Sequence, residues 1–74
     1  MSDIPTLDLH GLKHQKVEHT VEDFVLVNET PMRIITGNST SMHDIVQEVL
    51  KRHDLQCDYE NHWNLGAVIV TELR

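Results

Sequence analysis

The stretch TLDLHG, residues 6–11, decides the fold prediction for this chain of 74 residues. Leucines alternate with polar residues along it, and a period of two is typical of a β-strand with one buried face. Leu7 and Leu9 therefore share the buried face, while Asp8 and His10 leave the opposite one. The final glycine ends the strand, and the apolar residues beyond it follow a helical period.

Apolar spacing assigns the rest of the chain to two helices and three further strands. The predicted strands are residues 6–10, 32–36, 56–61 and 66–73, and the predicted helices are residues 13–28 and 42–53. Each helix has one face at helical spacing that we expect to be buried, formed by Val17, Val21, Phe24, Val25 and Asn28 in the first and by Met42, Ile45, Val46, Val49 and Leu50 in the second. Ser41, with Asp44 three residues later, resembles a capping box at the start of the second helix.

This order of elements predicts an α/β fold. Crossovers between parallel strands are right-handed, which places both helices on the same side of the sheet. The predicted architecture is a two-layer sandwich, βαβαββ, with a four-stranded mixed sheet and two helices on one face. A chain of this mass buries about 60% of its unfolded surface, so we expect residues 1–74 to form a single domain. Because residues 67–70 are all apolar, we expect the last strand to be central or the open sheet face to be a contact surface, for example in a homodimer.

Composition excludes several classes of protein. Twelve acidic and six basic side chains give a net charge of −6, whereas proteins that bind phosphate backbones are usually basic. No apolar stretch is long enough to span a membrane, and residues 1–5 do not resemble a signal peptide. The single cysteine, Cys57, cannot form an internal disulfide. We therefore expect a cytoplasmic protein that makes no membrane contact.

The charge is nevertheless segregated along the chain. Residues 10–16 contain two lysines and two histidines without an acid, whereas residues 17–29 contain four acids without a lysine or arginine. This pattern indicates either a small polar site on an acidic body or ordinary variation of surface charge.

Asp8 and His10 are the first candidates for chemistry. They leave the same face of the first strand, at its C-terminal end and next to a glycine. The carboxylate could fix the tautomer of the imidazole or hold a metal ion, while the imidazole moves a proton near neutral pH. The alternative is that both are solvated polar residues on an exposed strand face.

The second candidate is the turn TGNSTS, residues 36–41, which leads into the second helix. Unpaired N–H groups at the start of a helix, with small hydroxyl residues around them, can bind an anion. The alternative is an ordinary capped turn. Ligands of α/β sheets bind at the carboxyl ends of parallel strands, so this turn and residues 10–11 would form one site if the first two strands are neighbours.

The remaining histidines and aromatic residues are simpler to interpret. His19, His43 and His53 are predicted to be helix-surface residues, and Cys57 a small buried apolar residue. Trp63, in a predicted hairpin loop at residues 62–65, could stack on a nucleobase or pack over the sheet edge.

Three motifs together resemble a known family. LDLHG at residues 7–11 precedes an amphipathic helix, IITG at residues 34–37 precedes a second helix, and GAVIV at residues 66–70 follows near the end. These landmarks, in this order and over nearly the whole chain, resemble the Smr (small MutS-related) domain. The resemblance implies the α/β fold of the C-terminal domain of bacterial translation initiation factor three. It also implies binding of DNA or RNA and, for many members, a nicking endonuclease activity.

Carried over by motif, the resemblance assigns Asp8, His10 and Gly11 to the first signature, and Thr36 and Gly37 to the start of the second. As catalytic residues, Asp8 would orient His10 or bind a divalent metal such as Mg or Mn, and His10 would act as acid and base. Our own interpretation is that nucleic acid or phosphate is bound by Gly11, Lys13, His14, Lys16, Thr36, Gly37, Asn38, Ser39, Thr40 and Ser41. Gly66 corresponds to the glycine before the last strand. The second motif departs from the family at Asn38, where a basic residue is common, and at Ser39, where the family has glycine. A non-catalytic module that binds nucleic acid or protein is therefore the alternative.

Overall fold

A computed structural model describes residues 4–60 and 66–73, and within them the elements follow the predicted order βαβαββ. They are β1 (Thr6–Asp8), α1 (His14–Val27), β2 (Met32–Ile35), α2 (Thr40–Arg52), β3 (Leu55–Tyr59) and β4 (Ala67–Glu72). Predicted and observed ends differ by no more than two residues. The predicted hairpin loop at residues 62–65, with Trp63, lies outside the described residues. Within the described part of the chain, no helix has the length and apolar character needed to cross a membrane.

The four strands form one mixed sheet in the order β1-β2-β4-β3. β1 and β2 are parallel, whereas β4 is antiparallel to both of its neighbours, β2 and β3. The predicted mixed sheet is thus confirmed, with β4 as a central strand and β3 as an edge strand. Ala67, Val68 and Val70 are buried, whereas Ile69 is only partly buried on the open face of the sheet. The central position of β4 therefore explains most, but not all, of its continuous apolar run.

Both helices pack on one face of the sheet and contact each other there. The predicted stripes supply most of the core, although Phe24, Ile45 and Asn28 are only partly buried. The fully or almost fully buried side chains are Leu9, Val17, Val21, Val25, Met32, Ile34, Met42, Val46, Val49, Leu50, Leu55, Val68 and Val70. The small α/β domain with two helices is therefore confirmed.

Arg33 spans the open face of the sheet. Its Nε and Nη2 atoms donate to Glu60 Oε2 at 3.1 and 2.8 Å, and its Nη1 atom donates to Thr6 Oγ1 at 3.2 Å. The guanidinium therefore links β1 to the end of β3 across β2 and β4. This polar contact covers part of the surface through which a homodimer was expected, and that expectation stays a prediction.

Cys57 lies on β3, on the side of the sheet that faces α2, and is half-buried rather than fully buried as predicted. Burial raises the pKa of its thiol, and the negative charge of Asp58 raises it further. A side-chain hydrogen bond with Gln47 lowers the pKa but does not offset these effects. The folded protein therefore disfavours the thiolate relative to the unfolded chain.

This shift predicts a loss of stability at alkaline pH. The contribution of Cys57 is complete below the pKa of the unfolded thiol, about 8.5, and is lost as pH rises through the higher pKa of the folded state. Urea unfolding of the native chain and of Cys57→Ala, at about pH 8 and about pH 10, measures this loss. Between these pH values the free energy of unfolding should fall more steeply for the native chain than for Cys57→Ala, and the difference in slope should be at most about 1.4 kcal/mol per pH unit. Equal slopes for the two proteins would contradict the shift.

Candidate functional site

Parallel pairing of β1 with β2 brings the two candidate motifs to one edge of the sheet. Asp8 is paired with Ile35 at the end of both strands, and the Leu9 N–H donates to the Ile35 carbonyl at 2.9 Å. The loops that follow the two strands therefore begin side by side, and each leads into a helix. We call residues 8–16 and 36–41 the carboxyl edge.

The first turn of the carboxyl edge is held by its own backbone and by Asp8. The Leu12 N–H donates to the Leu9 carbonyl at 3.0 Å, and Asp8 Oδ1 accepts from the His10 N–H at 2.8 Å. Gly11 has a φ of +80°, which L-residues with a side chain rarely adopt. Replacing this glycine would therefore strain the turn even though the space around it is open.

Asp8 acts on the backbone of His10 and not on its ring. Among the residues that the structure describes, no hydrogen bond joins the Asp8 carboxylate to the imidazole, and the imidazole has no other hydrogen-bond partner. His10 is exposed at the corner of the turn. The carboxylate thus fixes the chain that carries the imidazole, and the ring remains accessible to a ligand.

The second turn is fixed by hydrogen bonds to Gly66, the residue immediately before β4. The carbonyl of Gly66 accepts the N–H groups of Thr36 at 2.7 Å and Gly37 at 3.0 Å. The Thr36 hydroxyl is buried and lies 3.0 Å from the Gly37 carbonyl and 3.3 Å from the Gly66 carbonyl, so that it donates inward. Thr36 and Gly37 therefore shape the turn with their hydrogen bonds, and the residues after them face solvent.

Ser39, and not Ser41, is the N-cap of α2. Its hydroxyl accepts the Met42 N–H at 3.2 Å, and its carbonyl accepts the His43 N–H at 3.0 Å. The predicted capping box of Ser41 and Asp44 is therefore wrong, because the helix begins two residues earlier, at Thr40. Since the first residues of a helix have no intrahelical acceptor, the N–H groups of Thr40 and Ser41 remain for a ligand.

A cleft of about 310 Å³ opens between this turn and the end of β3. It is lined by Gly37, Asn38, Ser39, Thr40, His43 and Tyr59. The rings of His43 and Tyr59 are stacked, with their centroids 5.1 Å apart and their planes at 28°. The sequence predicted a plain helix-surface position for His43 and no role for Tyr59. Position 43 lies one helical turn beyond the N-cap, so a correct N-cap would have placed it beside the turn.

The predicted cationic residues lie at the start of α1. Lys13 is its N-cap, and Lys13, His14 and Lys16 are all exposed. His14 also lines a groove between the two helices, together with Glu18, Glu48 and Arg52. Neither helix has an acidic residue in its first turn. The carboxyl edge therefore combines two lysines with the positive ends of two helix dipoles.

Arg52, the other cation near α1, is neutralised by neighbouring acids. Its Nη1 atom lies 2.6 Å from Glu18 Oε2, and its Nη2 atom lies 3.6 Å from Glu48 Oε1. The hydrogen bond and the charge of Glu18 raise the pKa of the Arg52 guanidinium, and Glu48 adds to this effect. The groove between the helices consequently offers less positive charge than the carboxyl edge.

Within residues 4–60 and 66–73, no three His, Cys, Asp or Glu side chains form a group that could hold a metal ion. Asp8 is the carboxylate of the carboxyl edge, and one of its oxygens already accepts the His10 N–H. Among the described residues, the carboxyl edge therefore offers Mg or Mn a single carboxylate. Mg is usually held by one or two carboxylates together with water and substrate phosphates. The divalent cofactor stays a prediction.

The assignment of the N-cap is tested by paired substitutions. Ser39→Ala should lower the free energy of unfolding by about 1 kcal/mol, because the Met42 N–H loses its acceptor. Ser41→Ala should change it by less than about 0.5 kcal/mol. Urea unfolding of both variants measures the difference, and a larger loss for Ser41→Ala would restore the capping box predicted from sequence.

The chain matches no protein-family model, and it has no significant match among curated proteins or solved structures. The Smr resemblance therefore stays a prediction that rests on the motifs themselves.

Proposed function

We propose that this protein binds nucleic acid at the carboxyl edge of its sheet, as an Smr-like domain would. The observation that carries the proposal is the convergence of the two candidate motifs and of both helix N-termini at this edge. The ligand would be DNA or RNA, and its phosphates would lie near the turns that follow β1 and β2.

Local electrostatics support a polyanionic ligand despite the net charge of −6. Lys13 and Lys16 are exposed beside the positive end of α1, and neither helix places an acid in its first turn. Backbone N–H groups at helix starts bind phosphate oxygens directly. Because the rest of the protein is acidic, it would repel a phosphate backbone, and binding would be restricted to this edge.

His10 is the candidate catalytic residue if the bound strand is also cleaved. Its exposed imidazole is carried on a turn fixed by Asp8 and Gly11, and histidine exchanges a proton near neutral pH. In a hydrolytic reaction the imidazole would take a proton from the attacking water. The water oxygen bonds to phosphorus, one phosphorus–oxygen bond breaks, and the leaving oxygen takes a proton from solvent, to which the imidazolium later returns the proton that it accepted. Asp8 would keep the imidazole in position through the backbone.

The non-catalytic alternative is favoured by the second turn. The Met42 N–H donates to the Ser39 hydroxyl, and the Gly37 N–H donates to the Gly66 carbonyl. These two donors are therefore unavailable to stabilise charge that develops on a reacting phosphate. Binding without cleavage is the expected behaviour if those donors are essential to the reaction.

Binding should depend on salt through the lysines of the carboxyl edge. Fluorescence anisotropy with labelled single-stranded DNA, RNA and duplex, at about 50 and about 200 mM salt, measures it. Combined Lys13→Ala and Lys16→Ala substitutions should weaken binding and reduce the salt slope by roughly 0.7–0.9 per lysine.

Lys51→Ala is the matched control, because Lys51 is exposed at the C-terminal end of α2, away from the carboxyl edge. This variant removes the same kind of charge and should retain both the affinity and the salt slope of the native protein. Absence of binding at low salt, or an equal effect of Lys51→Ala, would contradict the proposed site.

Cleavage is tested on supercoiled plasmid and structured RNA with magnesium, manganese or a chelator. If the native chain nicks either substrate, His10→Ala should reduce the rate by about 10²–10⁴-fold, as is typical for loss of a general acid or base. His19→Ala is the control, because His19 is exposed on α1 and pairs with Asp23 instead. Asp8→Asn preserves an acceptor for the His10 N–H, so it should retain more activity than Asp8→Ala.

These assays separate the two candidate functions. Cleavage that survives His10→Ala would remove His10 from the catalytic role. Absence of cleavage in every condition, together with salt-sensitive binding, would identify a non-catalytic nucleic-acid-binding module. The metal and chelator arms show whether a divalent cation takes part.

A further inference from the structure

We propose that the cleft beside α2 holds an unpaired nucleobase, stacked against the ring pair His43–Tyr59, so that the protein selects single-stranded over fully paired nucleic acid. This inference rests on the proposed function and defines its substrate class. It is carried by the cleft, whose lining at residues 37–40 belongs to the carboxyl edge, and by the rings of His43 and Tyr59, which lie outside that edge.

The ring pair is built from two distant parts of the chain. His43 lies in the second turn of α2, where its N–H is bonded to the Ser39 carbonyl, and Tyr59 is the last residue of β3. The rings are 5.1 Å apart at their centroids, and 49% of the surface of Tyr59 is exposed. A large aromatic side chain that is half exposed beside a cleft of about 310 Å³ offers a platform for another planar group.

The chemistry around the rings fits a nucleotide better than a purely apolar ligand. Asn38 is exposed in the same cleft and offers a donor and an acceptor to the edge of a base. Thr40, which also lines the cleft, begins α2, so its N–H could reach a phosphate oxygen of the same nucleotide. The cleft thus presents aromatic, amide and phosphate-binding groups together.

Only an unpaired base can use such a platform. In a duplex, the faces of each base are covered by its neighbours, whereas single strands and loops allow bases to stack on aromatic side chains.

Tyr59→Leu and Tyr59→Phe test the inference. Both retain an apolar side chain at position 59, but only phenylalanine retains the ring. Tyr59→Leu should weaken binding of a labelled single-stranded oligonucleotide by about 5- to 150-fold, the range found when one stacking residue is removed. Tyr59→Phe should remain within about threefold of the native affinity, and binding of a blunt duplex of the same sequence should be unchanged in both variants. His43→Gln removes the partner ring and should also weaken binding of the single strand.

Circular dichroism of each variant checks the fold, and His43→Gln serves as the second test if Tyr59→Leu does not fold. Native affinity for the single strand in Tyr59→Leu, or an equal loss for single strand and duplex, would overturn the inference while lysine-dependent binding would still support the proposed function. Failure of the native protein to bind any nucleic acid would overturn both. A nucleoside monophosphate that displaces the strand at equal concentration would show that the cleft holds a free nucleotide, which would also overturn it.

Discussion

The parallel pairing of β1 with β2 is the constraint on which the rest of the structure depends. Parallel neighbours need a crossover, which α1 supplies, and the crossover brings the N-terminal ends of α1 and α2 to the edge where both strands end. The single hydrogen bond from the Leu9 N–H to the Ile35 carbonyl continues this pairing into the loops. Two short motifs separated by a whole helix become neighbours for this reason.

The central position of β4 adds a second constraint. Because β4 runs antiparallel between β2 and β3, the start of β4 lies at the same edge of the sheet as the ends of the parallel strands. The Gly66 carbonyl there accepts the N–H groups of Thr36 and Gly37. The shape of the second turn is thus determined by a residue 30 positions away along the chain, and a change near the start of β4 would be transmitted directly to the candidate site.

Charge separates the candidate site from the rest of this acidic protein. Arg52 is neutralised by Glu18 and Glu48, whereas Lys13 and Lys16 have no acid in the first turn of their own helix. A protein of net charge −6 can attract a polyanion only where such a local excess exists. The proposed binding of nucleic acid would therefore involve few phosphates and depend on additional contacts such as base stacking.

The sequence by itself determined the order of the elements, the buried stripes of both helices and the burial of Leu9, because these follow from the periodicity of apolar residues. It also indicated that residues 10–11 and 36–37 would share one edge if the first two strands were neighbours, and the structure shows that β1 and β2 pair in parallel. Only the tertiary structure decided which serine caps α2, because several hydroxyl residues in a row offer similar local signals and packing selects among them. The contact between His43 and Tyr59 likewise depends on how α2 lies over β3, which no local pattern encodes.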